Sequence, residues 1–118
     1  MDENAPSIVI YLAEDFNGTR ILREALKGVE EESIPFEIFS SSADNAVSLA
    51  YLGAERSTLE VGIGIDSKNR LAVHYRKLPP ESPLFLLDYM VNFGEVRNVC
   101  ANAARLVKNT PFIETKEA

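Results

Sequence analysis

Runs of apolar residues and stretches of helical spacing alternate in the first third of the chain. Residues 7–13 form a nearly continuous apolar run rich in β-branched side chains, which is typical of a strand buried on both faces. Apolar residues at helical spacing follow, and this helix is expected to end before Pro35, because a residue that precedes proline avoids the α region. Residues 36–39 then predict a second strand. The order of these elements indicates a βαβ fold.

A second helix is predicted over residues 43–53. Serines at positions 40–42 are candidates for its N-cap, and Gly53 is its expected end, since glycine commonly follows the last helical turn.

Period-two alternation marks the centre of the chain as a hairpin. Residues 59–66 alternate apolar side chains with Gly62 and Gly64, and such a glycine face allows another backbone or a helix to approach the strand closely. Four residues, 67–70, separate this strand from the next apolar segment at 71–76. A connection this short permits only antiparallel pairing.

The last third of the chain contains one clear element, a helix with a continuous apolar stripe. It is predicted to begin at Asn92, with Glu95 as a capping-box partner. Residues 84–87 are apolar but follow a proline-rich stretch, so the pattern assigns them no firm structure, and a helical turn is one interpretation. Residues 112–114 are expected to add an edge strand.

Together these elements predict one α/β domain over residues 1–118. We expect a three-layer α/β/α arrangement around a mixed, mainly parallel sheet of four to five strands. The length is typical of a single domain. Residues 1–6 and 115–118 are polar ends that we expect to be flexible.

Charge and cysteine content exclude several classes of function. The net charge is −6, and the 12 Lys and Arg residues are scattered, which disfavours nucleic-acid binding. No apolar stretch is long enough for a membrane span. The single cysteine, Cys100, cannot form an internal disulfide, so a reducing cytoplasm is the expected location.

Motifs that would carry catalysis are weak. Gly62-Ile63-Gly64 lies inside a strand pattern without a helix after it, so a nucleotide loop is disfavoured. His74 falls in the middle of a predicted strand, and Cys100 lies on the apolar stripe of the last helix. Both are interpreted as structural residues.

Glu30-Glu31-Glu32 is the feature that violates a local rule. Three carboxylates at the end of a helix oppose the negative end of its dipole. Helical geometry places Glu31 opposite the apolar centre, beside Glu24 and Lys27. Two interpretations stay open: a solvated acidic helix end partly relieved by Lys27, or an outward carboxylate that binds a cation or an arginine of a partner.

Three ordered segments resemble the small subunit of diol and glycerol dehydratase reactivating factors. They are LREALKGVEEESIPF at residues 22–36, VGIGID at 61–66 with LAVHYRKLP at 71–79, and RNVCANAARLVK at 97–108 with PF at 111–112. The resemblance implies a non-enzymatic accessory subunit of a chaperone-like factor. In such a factor the large subunit carries the ATPase domain, and two large and two small subunits are expected to assemble.

The resemblance also implies a mode of action. The small subunit would replace a dehydratase subunit transiently, which would release damaged cobalamin while this chain binds neither nucleotide nor cobalamin itself. The complex would reside in the cytoplasm or in a bacterial microcompartment. Two alternatives remain: a subunit of the cobalamin-dependent dehydratase itself, and a free-standing α/β domain that binds a small molecule.

The site residues implied by the resemblance lie on the first helix. Glu31 corresponds to the family's ligand for a divalent cation, Mg²⁺ or Ca²⁺, shared with the large subunit. The surrounding partner interface is expected to comprise Glu24, Lys27, Gly28, Glu30 and Glu31, with Gly28 permitting close approach of the partner.

Overall fold

Residues 6–88 and 93–114, the parts of the chain that the computed structural model describes, form five strands and three helices. Their order is β1 (Ile8–Ala13), α1 (Thr19–Glu31), β2 (Phe36–Ser41), α2 (Ala46–Arg56), β3 (Val61–Ile65), β4 (Leu71–Tyr75), β5 (Phe85–Leu87) and α3 (Phe93–Lys108).

The five strands form one mixed sheet in the order β2-β1-β3-β4-β5. β1 pairs in parallel with both β2 and β3, while the β3–β4 and β4–β5 pairs are antiparallel. The predicted mixed α/β sheet and the β3–β4 hairpin are confirmed. Four of the five strands run in the same direction, and β4 is the strand that runs opposite to them.

Alternating residues of β3 face two different helix layers. Val61, Ile63 and Ile65 belong to the large apolar core that also contains residues of α1 and α3. Gly62 and Gly64 face α2, and a Cβ on either glycine would overlap backbone atoms of that helix. The absence of side chains at these two positions therefore lets α2 lie directly on the sheet, which completes the three layers.

The ends of α2 differ from the prediction. Asn45 is the N-cap, and its Oδ1 accepts hydrogen bonds from the backbone N–H groups of Val47 (2.9 Å) and Ser48 (3.1 Å). The predicted caps at 40–42 are displaced because β2 continues to residue 41. Gly53 does not end the helix either. It packs against the carbonyl of a β1 residue, and α2 continues to Arg56.

The segments around α3 also differ from the prediction. Residues 85–87 are a strand rather than a helical turn, because they pair with β4. Residues 111–114 form no strand. Instead, the side chain of buried Asn102 donates to the carbonyl of Ile113 (2.9 Å) and accepts from its N–H (2.6 Å). The predicted cap at Asn92 lies outside the described residues.

In the described ranges, no helix has the length and apolar content needed to cross a membrane.

Candidate functional site on the α1–α3 pair

Helices α1 and α3 pack against each other in parallel. Glu24 bonds Arg97, Gly28 abuts Ala101, and Glu32 bonds Arg105. Both ion pairs join residues separated by 73 positions. Because the separation is the same for both pairs, the two helices run in the same direction along their contact. The helix that carries the predicted site residues is therefore supported by α3.

Gly28 lies at the closest approach of the two helices. A Cβ on this residue would overlap the carbonyl oxygen of Arg97 and would lie 2.9 Å from the backbone nitrogen of Ala101. The close approach predicted for this glycine therefore involves α3 of the same chain. Periodicity identifies the buried face of a helix, but it does not identify the element that covers that face.

Glu24 is directed toward α3 instead of pointing outward with Glu31. Glu24 is 7% exposed. Its Oε1 accepts a hydrogen bond from Arg97 Nη2 (2.6 Å), and its Oε2 accepts one from Lys27 Nζ (3.0 Å). The hydrogen bond from Arg97, followed by that from Lys27, lowers the pKa of Glu24, although burial opposes the shift. Glu24 and Lys27 thus make contacts within the chain, and their place in a partner interface stays a prediction.

Glu32, the last residue of the acidic run, is neutralised by α3. Its carboxylate accepts from Lys108 Nζ (3.0 Å) and Arg105 Nε (3.1 Å). The hydrogen bonds from Lys108 and Arg105 lower the pKa of Glu32 against the effect of burial. Sequence reasoning missed these two cations and Arg97. The signal available in the sequence was that Glu24 and Glu32 are each matched by an arginine 73 positions later.

Glu30 and Glu31 form the outer part of the acidic run. Both residues are exposed, and the Glu31 side chain retains half of its accessible surface. Among the described residues, the cationic group nearest to its carboxylate is Arg97, whose Nε lies 3.9 Å from Oε1, too far for a hydrogen bond. Glu30 makes no ion pair with any other described residue. The outward position predicted for Glu31 is confirmed, and the dipole conflict persists at these two carboxylates.

The described residues contain no group of three or more His, Cys, Asp or Glu side chains placed to hold a metal ion. Hard divalent cations bind six or more oxygen ligands, or keep several waters. Within residues 6–88 and 93–114, the Glu31 carboxylate therefore belongs to no complete metal site. Its role as a ligand to a shared cation stays a prediction.

His74 and Cys100 have structural environments. His74 is fully buried, with Nε2 donating to the carbonyl of Pro80 (3.0 Å) and Nδ1 accepting from the Tyr75 N–H (3.0 Å). The Tyr51 ring packs against it edge-on. Burial raises the pKa of the Cys100 thiol, which keeps it protonated. Neither side chain is placed for nucleophilic or acid–base chemistry.

Comparison with known proteins shows similarity along nearly the whole chain. The model of the dehydratase medium subunit family matches residues 5–113. The propanediol dehydratase-reactivating factor small subunit of Citrobacter freundii is 43% identical over 109 residues, which cover 92% of this chain and 91% of that protein. The diol dehydratase-reactivating factor small subunit of Klebsiella michiganensis is 41% identical, with 94% and 86% covered.

Solved structures are also similar. A chain in the structure of diol dehydratase-reactivating factor complexed with ADP and Mg²⁺ has a TM-score of 0.85 and 41% identity, covering 94% of this chain and all of that one. A chain of glycerol dehydratase reactivase has a TM-score of 0.87 and 27% identity, covering 92% and 97%.

Proposed function

We propose that this chain, which belongs to the dehydratase medium subunit family, is the non-catalytic small subunit of a factor that reactivates a cobalamin-dependent diol or glycerol dehydratase. The observation that carries the proposal is the identity above 40%, over nearly the full length, to small subunits of reactivating factors. The buried positions of His74 and Cys100 are consistent with a subunit that acts by binding.

The mechanism that we propose is an exchange of subunits. A large partner subunit would carry the ATPase, and its nucleotide state would decide whether it or the dehydratase holds the small subunit more tightly. Such a switch requires only a difference in affinity between two conformations. Loss of a dehydratase subunit would open the enzyme so that damaged cobalamin leaves. Two large and two small subunits would form the complete factor, in the cytoplasm or a microcompartment.

The surface that we assign to the large subunit is the outer face of α1 around Glu30 and Glu31. Parallel packing on α3 fixes the helix backbone that carries both side chains, and the ion pairs of Glu24 and Glu32 stabilise that packing. A backbone that is already ordered reduces the entropy lost on binding. Glu31 would supply one oxygen ligand to Mg²⁺ or Ca²⁺, and the large subunit would supply the others.

Co-purification with the candidate large subunit tests this assignment. Glu31→Gln keeps the shape of the side chain but removes the charge, so we expect affinity for the large subunit to fall about 10- to 100-fold, as for the loss of a charged partner. Glu55→Gln, which changes an exposed glutamate of α2, is the matched control and should bind normally. Chelator should weaken the complexes of the native chain and of the control, but it should not weaken the complex of Glu31→Gln further. Unchanged affinity of Glu31→Gln would contradict the assignment.

The description of the matched family favours one second candidate, a subunit of the dehydratase itself. Mixing the purified chain with the other dehydratase subunits separates the two functions. A true enzyme subunit restores the turnover of substrate when intact coenzyme is supplied. A reactivating subunit, supplied with its large partner and ATP, restores only enzyme that has already been inactivated. Failure of both assays would reject both functions.

A further inference from the structure

Strand β2 leaves half of its backbone hydrogen-bonding groups without a partner among the described residues. It is an edge strand of six residues that pairs with β1 alone. The carbonyls of Pro35 and Ser41 accept from β1-side N–H groups at 2.9 and 3.1 Å, so residues of odd number face β1. In a parallel ladder, alternate residues face opposite directions, so Phe36, Ile38 and Ser40 direct their N–H and C=O groups away from the sheet.

The other sheet edge is better protected. β5 has only three residues and follows shortly after Pro83, and short strands and prolines both limit pairing with another chain. β2 contains no proline or lysine, and Ile38 is 40% exposed on its surface. As far as the described residues show, β2 is therefore the edge that is available to an added strand.

A negative and a positive charge lie on either side of Ile38 along the strand, on the face of the sheet that its side chain does not occupy. The Arg56 guanidinium lies 3.7 Å from the centre of the Phe39 ring and its Nη1 donates to the Tyr11 hydroxyl (3.3 Å). Two residues before Phe39, the carboxylate of Glu37 accepts from Ser7 Oγ (3.0 Å). Along this edge, a negative position thus precedes a positive one by two residues.

We propose that β2 pairs antiparallel with β2 of a second copy of this chain, about a two-fold axis through Ile38. In this register Ile38 lies opposite Ile38 of the second copy, and Glu37 lies opposite Phe39, where Arg56 is stacked. Directly opposed residues on antiparallel strands are about 4.5–5.5 Å apart, so both Glu37–Arg56 pairs are attractive. The edge is therefore self-complementary, as a closed two-fold interface requires.

The neighbouring registers that use the same outward groups are less favourable. A shift one way places Glu37 opposite Glu37, and a shift the other way brings the two Arg56 guanidiniums together over opposed Phe39 rings. Both place like charges in contact, which destabilises cross-strand pairs. Electrostatics thus favours one register of the β2–β2 pair, and this preference does not depend on the reactivating function.

Sedimentation of the isolated chain from micromolar to millimolar concentration tests the proposal. We expect a reversible monomer–dimer equilibrium, because a six-residue edge buries less area than a permanent interface. Ile38→Lys places a charge at the axis and should abolish the dimer. Leu86→Lys is the matched control, since Leu86 is 41% exposed on the other edge strand, and it should dimerise like the native chain.

Charge reversal tests the register. Glu37→Arg and Arg56→Glu should each weaken the dimer, and the double variant should regain it because the attraction is restored in the opposite sense. Circular dichroism verifies that each variant is folded. A chain that remains monomeric up to millimolar concentration would overturn the proposal. A dimer that withstands Ile38→Lys would overturn it too, since the contact would then lie elsewhere.

Discussion

The inner and outer surfaces of α1 both carry glutamates, but the structure treats their charges differently. On the inner surface, Glu24 and the C-cap residue Glu32 each accept hydrogen bonds from two cationic side chains. On the outer surface, Glu30 and Glu31 are exposed, and the nearest cation to Glu31 lies at 3.9 Å. The acidic run is thus divided between an internal charge network and a surface available to a partner.

This difference shows that an acidic run is not one functional unit. Each carboxylate at a helix C-terminus opposes the helix dipole, but a nearby cation removes the conflict. Glu32 has that cation from α3, so its charge is explained by folding. Among the described residues Glu30 has none and Glu31 has only a distant one, so these two charges are the part of the run that folding leaves unexplained and that a partner could use.

The largest effect is expected from Gly28 on the inner surface. Gly28→Val introduces a branched side chain where even a Cβ overlaps α3 backbone, so the two helices must separate. Overpacking of this kind destabilises by about 3 kcal/mol at its upper range. Urea denaturation measures the loss.

Glu30→Val is the control for this substitution, because it places the same residue on the outer surface of α1. It should change stability by less than about 1 kcal/mol, the scale of helix propensities. Equal losses for the two variants would show that the surfaces of α1 do not differ in packing.

The fold was largely predictable because most of its elements have local signals. Pro35 indicates that the first helix must end before it, and the four-residue turn permits only a hairpin. β5 was not predictable, because three residues carry too little periodicity and their conformation depends on pairing with β4. The predicted strand at residues 112–114 does not form, and the Asn102 side chain, instead of a neighbouring strand, pairs with the backbone of Ile113.

The site was predictable only in part, for a related reason. Helical geometry correctly places Glu31 outward, since that depends on α1 alone. The positions of Glu24 and Gly28 depend on where α3 lies, and no periodicity within α1 contains that information.

The second largest effect is expected for Glu24. Glu24→Gln retains the size of the side chain but removes the charge that Arg97 and Lys27 share, so thermal stability should fall by less than for Gly28→Val. A double-mutant cycle with Arg97→Gln measures the coupling. The double variant should be more stable than the sum of the two single losses implies, because each single change already breaks the pair. Strictly additive losses would mean that the observed contact contributes nothing.

Acid should reduce the difference between the two surfaces. The pKa of Glu32 is lowered in the folded chain, so its contribution to stability is complete above the ordinary glutamate pKa of about 4.3 and is lost as pH falls through the folded value. Glu32→Gln should therefore be less stable than the native chain at neutral pH. Thermal melts in a pH series should show the two curves converge in the acid range. A gap that stays constant at all pH values would mean that charge is not its cause.

The smallest effect is expected for Glu31. Glu31→Gln removes a negative charge from the C-terminal end of α1, where it opposes the dipole, and disrupts no hydrogen bond seen in the structure. Stability of the isolated chain should change by no more than about 0.5 kcal/mol, as for most surface substitutions, and in the stabilising direction. Chemical denaturation beside Glu32→Gln measures both. A loss as large as that of Glu32→Gln would make Glu31 a folding partner of Arg97, and its charge would then no longer indicate a partner-binding role.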